Sequence, residues 1–151
     1  MPKYALDTNL YIDAARLPAR MEELRRFVAQ ALPQTHLSSV VAHELIQGST
    51  SSSQTRVVEE NVIRPFARVN RIFAPSIRAW FEAGAVTAKL HEQRGTVSSS
   101  LRFDVLIALS CREHGITLIS RDGDFAALKA LVQGLNVAMP FPELLAGGKR
   151  L

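Results

Sequence analysis

The chain is poor in cysteine, the residue that builds disulfides and soft-metal sites. Its 151 residues contain a single one, Cys111, which lies within an apolar run. One cysteine excludes a disulfide within the chain and is typical of proteins that fold in a reducing compartment. We therefore expect a cytoplasmic protein in which Cys111 acts as a small buried hydrophobe.

Long apolar runs and several common catalytic motifs are also missing. No run approaches the ~18 residues needed to cross a bilayer, and the start, MPKYALDTN, lacks the apolar core of a secretion signal. The chain has no GxGxxG, P-loop or GxSxG motif. HELIQ begins like the zinc-protease helix HExxH, but Gln47 stands where the second histidine is required. The sequence therefore argues against a membrane span and against these enzyme classes.

The overall composition is that of one globular domain. Apolar residues make up 47% of the chain and charged residues 21%, with a net charge of +4. This modest basic excess suits a polyanionic partner such as nucleic acid. We expect residues 1–140 to form a single domain and residues 141–151 a loosely attached tail, in which Leu144 and Leu145 can dock.

Strand-like and helix-like segments alternate along the chain. Five short runs have strand character, at positions 3–6, 35–39, 71–76, 116–120 and 135–139. Apolar spacing and start or stop residues predict helices between and after them, at 9–16, 18–32, 40–48, 56–69, 76–94, 101–114 and 123–134. This alternation predicts a three-layer α/β fold around a mostly parallel sheet.

Acidic side chains follow the predicted strands. Asp7 comes directly after the first strand, and Asp122 and Asp124 come directly after ITLIS. Glu44 lies in the helix after the second strand, and Asp104 opens the apolar helix that leads to ITLIS. Because ligands bind beyond the carboxyl ends of parallel strands, we expect these four segments to deliver their carboxylates to one cleft.

Each acid also has a purely structural interpretation. Asp7 can begin an Asx turn, Asp104 can cap its helix, Asp122 or Asp124 can cap the next one, and Glu44 can face solvent. Two patterns weaken this interpretation. Glu44 shares a helix face with Val40 and Val41, and Asp104 shares one with Ile107, Ala108 and Cys111. Carboxylates that face a core are rarely left unpaired.

A cluster of carboxylates requires a partner of opposite charge. Two carboxylates ~5 Å apart repel by roughly 3 kcal/mol at an effective dielectric constant of ~20. A site with oxygen ligands alone selects a hard ion such as Mg²⁺ or Mn²⁺. The reaction that such a site favours is hydrolysis of a phosphodiester by a metal-activated water.

Four segments together resemble a known family. LDTN at 6–9, HEL at 43–45, RFDVLIALSC at 102–111 and SRDGDF at 120–125 resemble the ordered motifs of PIN-domain ribonucleases, in particular the VapC-type toxins of toxin–antitoxin pairs. The resemblance implies a parallel five-stranded sheet flanked by helices and an Mg²⁺- or Mn²⁺-dependent endoribonuclease. It also implies a homodimer and a small antitoxin that inserts into the active-site groove.

The resemblance assigns roles to individual residues. It makes Asp7, Glu44 and Asp104 the central metal-binding acids and Asp122 the fourth, with Asp124 as its neighbour or substitute. Thr8 would support the site by hydrogen bonding, and Asn9 would lie in its outer shell.

Basic and aromatic residues near these motifs have two interpretations each. Arg102 and Arg121 can contact RNA phosphates, or they can neutralise the acids or face solvent. Trp80 and Phe81 can stack on bases, or they can pack in a core or an interface.

Two other functions compete with the nuclease. One is a PIN-like module that binds nucleic acid or protein without cleaving it, although all four acidic positions are present. The other is a receiver-like signalling domain, which requires paired acids after its first strand and a late lysine after another. Here ITLIS leads instead to Arg121 and Asp122.

Overall fold

The computed structural model describes residues 2–141, and these contain a five-stranded sheet. All strand pairs are parallel, in the order β3-β2-β1-β4-β5. The strands are β1 Tyr4–Leu6, β2 Thr35–Ser38, β3 Ile72–Phe73, β4 Thr117–Ile119 and β5 Val137–Ala138. The predicted α/β class and the parallel sheet are thus confirmed.

Helices cover both faces of the sheet. They are α1 Thr8–Arg16, α2 Pro18–Ala31, α3 Ser39–Gln47, α4 Ser52–Val58, α5 Arg64–Ala67, α6 Ile77–Arg94, α7 Ser99–Glu113 and α8 Gly123–Leu128. Successive strand side chains point to opposite faces. Tyr4 and Leu6 accordingly pack with Phe27 of α2, whereas Ala5 joins a larger core with Val105 and Ile107 of α7. The predicted third layer is therefore present.

Serine side chains set the starts of several helices. Ser38, Ser51, Ser76 and Ser98 each accept a hydrogen bond from a backbone N–H in the first turn of the helix that follows. Such caps satisfy donors that have no partner within the helix. These four serines therefore mark the points at which their helices begin.

Three predicted boundaries were wrong. Helix α4 starts at Ser52 instead of residue 56, because Ser51 caps it, and a π-helical turn joins it to α5. Helix α8 ends at Leu128, well before Gly134. Asp104 does not open its helix but lies one and a half turns inside α7, whose cap is Ser98. Capping by Asp104 is thereby ruled out.

Part of the predicted tail, residues 142–151 with Leu144 and Leu145, lies outside the described residues. Within residues 2–141, none of the helices combines the length and the hydropathy that a bilayer span requires.

The strand order places a crevice between β1 and β4. The chain runs from β1 outward to β2 and β3 on one side, and β4 and β5 extend the sheet on the other. Ligands of open parallel sheets bind at such a reversal, beyond the carboxyl ends of the strands. Leu6 pairs with Ile119, so the next residues, Asp7 and Ser120, lie side by side at this edge.

Candidate metal centre

Asp7 lies at the bottom of the crevice and is only 2% exposed. Its Oδ1 accepts a hydrogen bond from the Thr8 backbone N–H at 2.7 Å, which caps α1. Its Oδ2 accepts one from the Ser120 hydroxyl at 2.9 Å. Burial raises the pKa of Asp7 to about 6, against the lowering effect of these two hydrogen bonds, and the charges of Asp122 and Glu44 raise it further.

Ser120 connects Asp7 to the loop after β4. While its hydroxyl donates to Asp7, its oxygen accepts from the Asp122 backbone N–H at 2.9 Å. The Asp122 side chain in turn accepts from the Asp124 N–H at 2.9 Å and caps α8. The capping interpretation of Asp122 is therefore correct, and the cap also orients this carboxylate. Sequence reasoning missed Ser120, whose only signal was its position directly after β4.

Asp104 reaches the crevice from the buried helix α7 and is 8% exposed. Carboxylate oxygens of Asp104, Asp122 and Asp124 all lie within 4.8 Å of one another. Burial raises the pKa of Asp104 to about 8, and the charges of Asp7, Asp122, Glu44 and Asp124 add to the effect. Four of the five aspartates in the chain thus belong to one electrostatic cluster.

Glu44 joins this cluster from α3. Its Oε1 accepts a hydrogen bond of 2.9 Å from the hydroxyl of Thr8, which is itself buried. Burial raises the pKa of Glu44, while the hydrogen bond from Thr8 and the charge of His43 lower it. Thr8 therefore donates hydrogen bonds to two acids of the site, from its N–H to Asp7 and from its hydroxyl to Glu44. Asn9 lies on the exposed side of α1.

The predicted basic residues lie away from the acids. Arg121 pairs with Asp13 at 3.5 Å and with Glu23 at 2.9 Å, so it ties the loop after β4 to α1 and α2. Arg102 is exposed and lines a groove between α6 and α7. Two residues correspond to about 200° around a helix, which turns Arg102 away from Asp104.

A basic residue that the sequence did not suggest lies at the rim. Arg94, the last residue of α6, places its guanidinium 4.0 Å from the carboxylate of Asp124. Both side chains are partly open to solvent, at 41% and 49% exposure. Arg94 belongs to no motif, and only the packing of α6 brings it here.

The donor set fits a hard divalent cation. The clustered groups are carboxylates whose oxygens lie within 4.8 Å of one another, and Asp104 among them is buried. Burial and, after it, the neighbouring carboxylates raise the pKa values of Asp7 and Asp104, so a bound cation would favour their charged forms. Oxygen ligands with this charge density suit Mg²⁺ or Mn²⁺ rather than a softer metal.

The fold and this site define a family. The PIN domain family matches residues 4–131, so the chain belongs to it. The comparison with curated proteins gave no match.

Solved structures share the fold at low sequence identity. DNA-bound VapBC from Salmonella typhimurium aligns with 20% identity and a TM-score of 0.63, over 92% of this chain and 98% of the other. VapBC-1 from nontypeable Haemophilus influenzae gives 22% and 0.63, over the same shares of the two chains. VapBC-5 from Mycobacterium tuberculosis, a member of the VapBC family of toxin-antitoxin systems, gives 19% and 0.55, again over 92% and 98%.

Proposed function

We propose that this chain is a metal-dependent endoribonuclease and the toxin of a toxin–antitoxin pair. The observation that carries the proposal is the convergence of Asp104, Asp122 and Asp124 within 4.8 Å, next to the buried Asp7, at the reversal point of a PIN-family sheet. The similarity to VapBC structures supports the toxin assignment.

We assign the metal ligands to the clustered acids, Asp7, Glu44, Asp104, Asp122 and Asp124. A bound Mg²⁺ or Mn²⁺ would supply an activated water and would offset negative charge at the scissile phosphate. The chain itself aligns the ligands. Thr8 and Ser120 hold Asp7 and Glu44 by hydrogen bonds of 2.7 to 2.9 Å.

Of the two acids after β4, we assign Asp122 as the inner ligand. The charge of Asp122 raises the pKa of Asp7. It also raises the pKa of Asp104 more strongly than the charge of Asp124 does. Its backbone N–H is fixed by Ser120. Asp124 is half-exposed and lies near Arg94, which places it at the rim. Asn9 remains an outer-shell candidate.

We propose single-stranded or loop RNA as the substrate, in the cytoplasm. The net charge of +4 favours a polyanion. Arg94 lies next to Asp124, and we assign it, in place of Arg102 and Arg121, to an RNA phosphate. The single cysteine, buried and unpaired, suits a reducing compartment.

An apolar groove beside the site suits an antitoxin segment. It encloses about 500 Å³ between α1, α3 and the α4 region, and six of its twelve lining residues are aliphatic. Tyr11 is one of its lining residues. We propose that an apolar antitoxin helix fills this groove.

The groove assignment can be tested with two valines. Val57 lines the groove and Val69 does not, yet they are similarly exposed, at 55% and 51%. Val57→Glu should weaken binding of the cognate antitoxin, measured by calorimetry, while Val69→Glu should not. Equal loss in both variants would count against the groove.

The exposed apolar face of helix α6 supports a homodimer in which each protomer is a single domain. Ile77, Trp80 and Phe81 are 75%, 56% and 75% exposed, so these side chains are not part of the protomer core. Large exposed apolar side chains grouped on one helix mark an interaction surface. We propose that this face pairs with a second copy and that residues 1–140 form the whole folded domain, with 141–151 as its tail.

The activity is tested on single-stranded RNA with and without Mn²⁺. We expect cleavage that EDTA abolishes. Asp7→Asn and Asp104→Asn should cut at least about a hundredfold more slowly, because a lost ligand weakens both metal binding and water activation. Both variants should still bind RNA, since that binding is mainly electrostatic.

The matched control is Asp13→Asn. Asp13 is the one aspartate outside the cluster and pairs with Arg121, so its amide variant should retain activity and Mn²⁺ binding. Cleavage that persists in EDTA would refute the metal mechanism. Mn²⁺ binding without cleavage of any RNA would favour the non-catalytic binding module.

A further inference from the structure

A second cleft lies at the opposite edge of the sheet from the acids. It encloses about 360 Å³ and is lined by residues at the amino-terminal ends of the strands. Lys3 precedes β1, His36 lies near the start of β2, Arg71 precedes β3, and His114 follows α7 just before β4. At ~3.3 Å per strand residue, Lys3 and Asp7 are separated by roughly 13 Å along the sheet.

The lining of this cleft is basic. Of its nine described lining residues none is acidic, and four are lysine, arginine or histidine. Asn70 adds a side-chain amide. The nearby carboxylate of Glu113 accepts hydrogen bonds from the backbone N–H and hydroxyl of Ser76, at 2.8 and 2.6 Å. It also lies 3.9 Å from His114. The basic side chains of the cleft are therefore not neutralised by any acidic residue of its own lining.

The two imidazoles are oriented by backbone carbonyls. The Nδ1 of His36 lies 3.2 Å from the carbonyl oxygen of Gln34, and the Nδ1 of His114 lies 2.8 Å from that of Ser110. A carbonyl can only accept, so Nδ1 carries the proton in each ring. The Nε2 atom of each ring is then the one that accepts when neutral and donates when protonated.

Arg71 is anchored in a similar way. Its guanidinium donates to the carbonyl oxygen of Leu32 at 2.6 Å. A guanidinium has five N–H donors, so this contact fixes the side chain and leaves donors for a ligand. Burial lowers the pKa of His36 against the raising effect of its hydrogen bond to Gln34, and the charges of Lys3, Arg71 and His114 lower it further. The four groups thus form one cluster.

We propose that this basic cleft binds phosphate oxyanions at a site separate from the carboxylate cluster. Arginine, lysine and histidine donors around an open cleft are the chemistry that recognises phosphate. Two sources present the same oxyanion, the backbone of an RNA strand and a free phosphate compound. A strand bound here would contact the face of the protein opposite the acids.

The four histidines of the chain provide a direct test. His36 and His114 line the cleft, whereas His43 and His91 do not. Pyrophosphate is titrated into the metal-free protein at constant pH and ionic strength, with sodium chloride as the reference. A single-stranded RNA is titrated separately into the Asp7→Asn protein. Imidazole NMR signals of His36 and His114 should move and saturate with the effective probe, while those of His43 and His91 should stay in the pyrophosphate titration.

Each outcome of the titrations has a defined meaning. Saturation with pyrophosphate at lower concentration than with RNA identifies a free phosphate compound as the ligand, and the reverse order identifies the strand. Equal movement of all four histidines with pyrophosphate, or no movement of His36 and His114 with either probe, overturns the proposal. An acidic peptide that moves the two signals when neither phosphate probe does also overturns it.

Charge removal provides a second, independent measurement. Lys3→Gln and Arg71→Gln should each weaken binding of the effective probe roughly tenfold, the usual effect of losing a charged hydrogen bond. For RNA the slope of log K against log salt should fall by about 0.7 for each lost contact. Lys89→Gln, an exposed charge on α6, is the matched control. Equal weakening in all three variants would contradict the site.

Discussion

Asp104 should destabilise the metal-free protein, and Asp104→Asn should relieve this. The pKa of Asp104 is raised from 3.8 to about 8, by burial first and by four neighbouring carboxylates second. The folded state therefore holds its proton at pH values where the unfolded chain has lost it. The free energy of unfolding accordingly falls as pH rises from 3.8 towards 8, whereas below 3.8 there is no penalty.

The size of this penalty follows from the same values. Each pH unit in that window costs about 1.4 kcal/mol, so the ceiling at pH 7 is about 4 kcal/mol. Asparagine has nearly the shape of the protonated carboxyl and carries no charge. We expect Asp104→Asn in metal-free buffer at pH 7 to raise Tm by roughly 5 to 15 °C for a chain of this size.

The assay is thermal unfolding from pH 4 to pH 8, with and without Mn²⁺. The gap between variant and wild type should close near pH 4. Mn²⁺ should stabilise the wild type by about 2.7 kcal/mol at a hundredfold excess over Kd, and the variant by much less. Asp13→Asn should instead lose up to about 1 kcal/mol with its ion pair to Arg121.

A specific result would refute this reasoning. If metal-free Asp104→Asn melts below the wild type at pH 7, the carboxylate is held by favourable contacts and the cluster is not under electrostatic strain. Asp7→Asn is expected to gain less, because both Asp7 oxygens accept hydrogen bonds, from Thr8 and Ser120.

Three further predictions follow from individual contacts. Ser120→Ala should raise the pKa of Asp7 above about 6, because the Ser120 hydrogen bond lowers it; carboxyl-carbon NMR titration measures this, and an unchanged pKa would contradict the contact. Arg121→Gln should lower stability slightly through the lost ion pairs with Asp13 and Glu23 and leave RNA affinity unchanged; a large loss of affinity would restore its role at the RNA. Phe81→Glu should convert a dimer to a monomer in light scattering, whereas Leu17→Glu, at a residue 52% exposed outside α6, should not; a wild-type monomer at micromolar concentration would refute the dimer.

Local sequence patterns were sufficient to predict most elements of this fold. Most strand segments are apolar, most helices begin after a serine or aspartate cap or at a proline, and Gly115 ends α7 with a positive φ of 65°. These signals act within one or two turns of chain, so they are readable without tertiary contacts. The extent of α4 and α8 was misjudged, because a serine cap and a series of turns, not apolar spacing, decide where those helices start and end.

The sequence also predicted which acids share the crevice. Asp7 and Asp122 follow parallel strands, so their common edge follows from the fold class. The contacts of Ser120, Arg94 and Arg121 could not be predicted from the sequence, because each one joins residues that are far apart in the chain. Ser120 meets Asp7 only through the register of β1 and β4, and Arg94 meets Asp124 only through the packing of α6.

The basic cleft at the other edge of the sheet could not be predicted from the sequence either. Lys3, His36, Arg71 and His114 are separated by more than thirty residues at each step, and no motif connects them. Parallel pairing brings the starts of four segments to one edge. Periodicity reports which face of an element is buried, but the identity of the neighbouring side chains, and hence their pKa values and charge balance, is decided only when distant segments pack together.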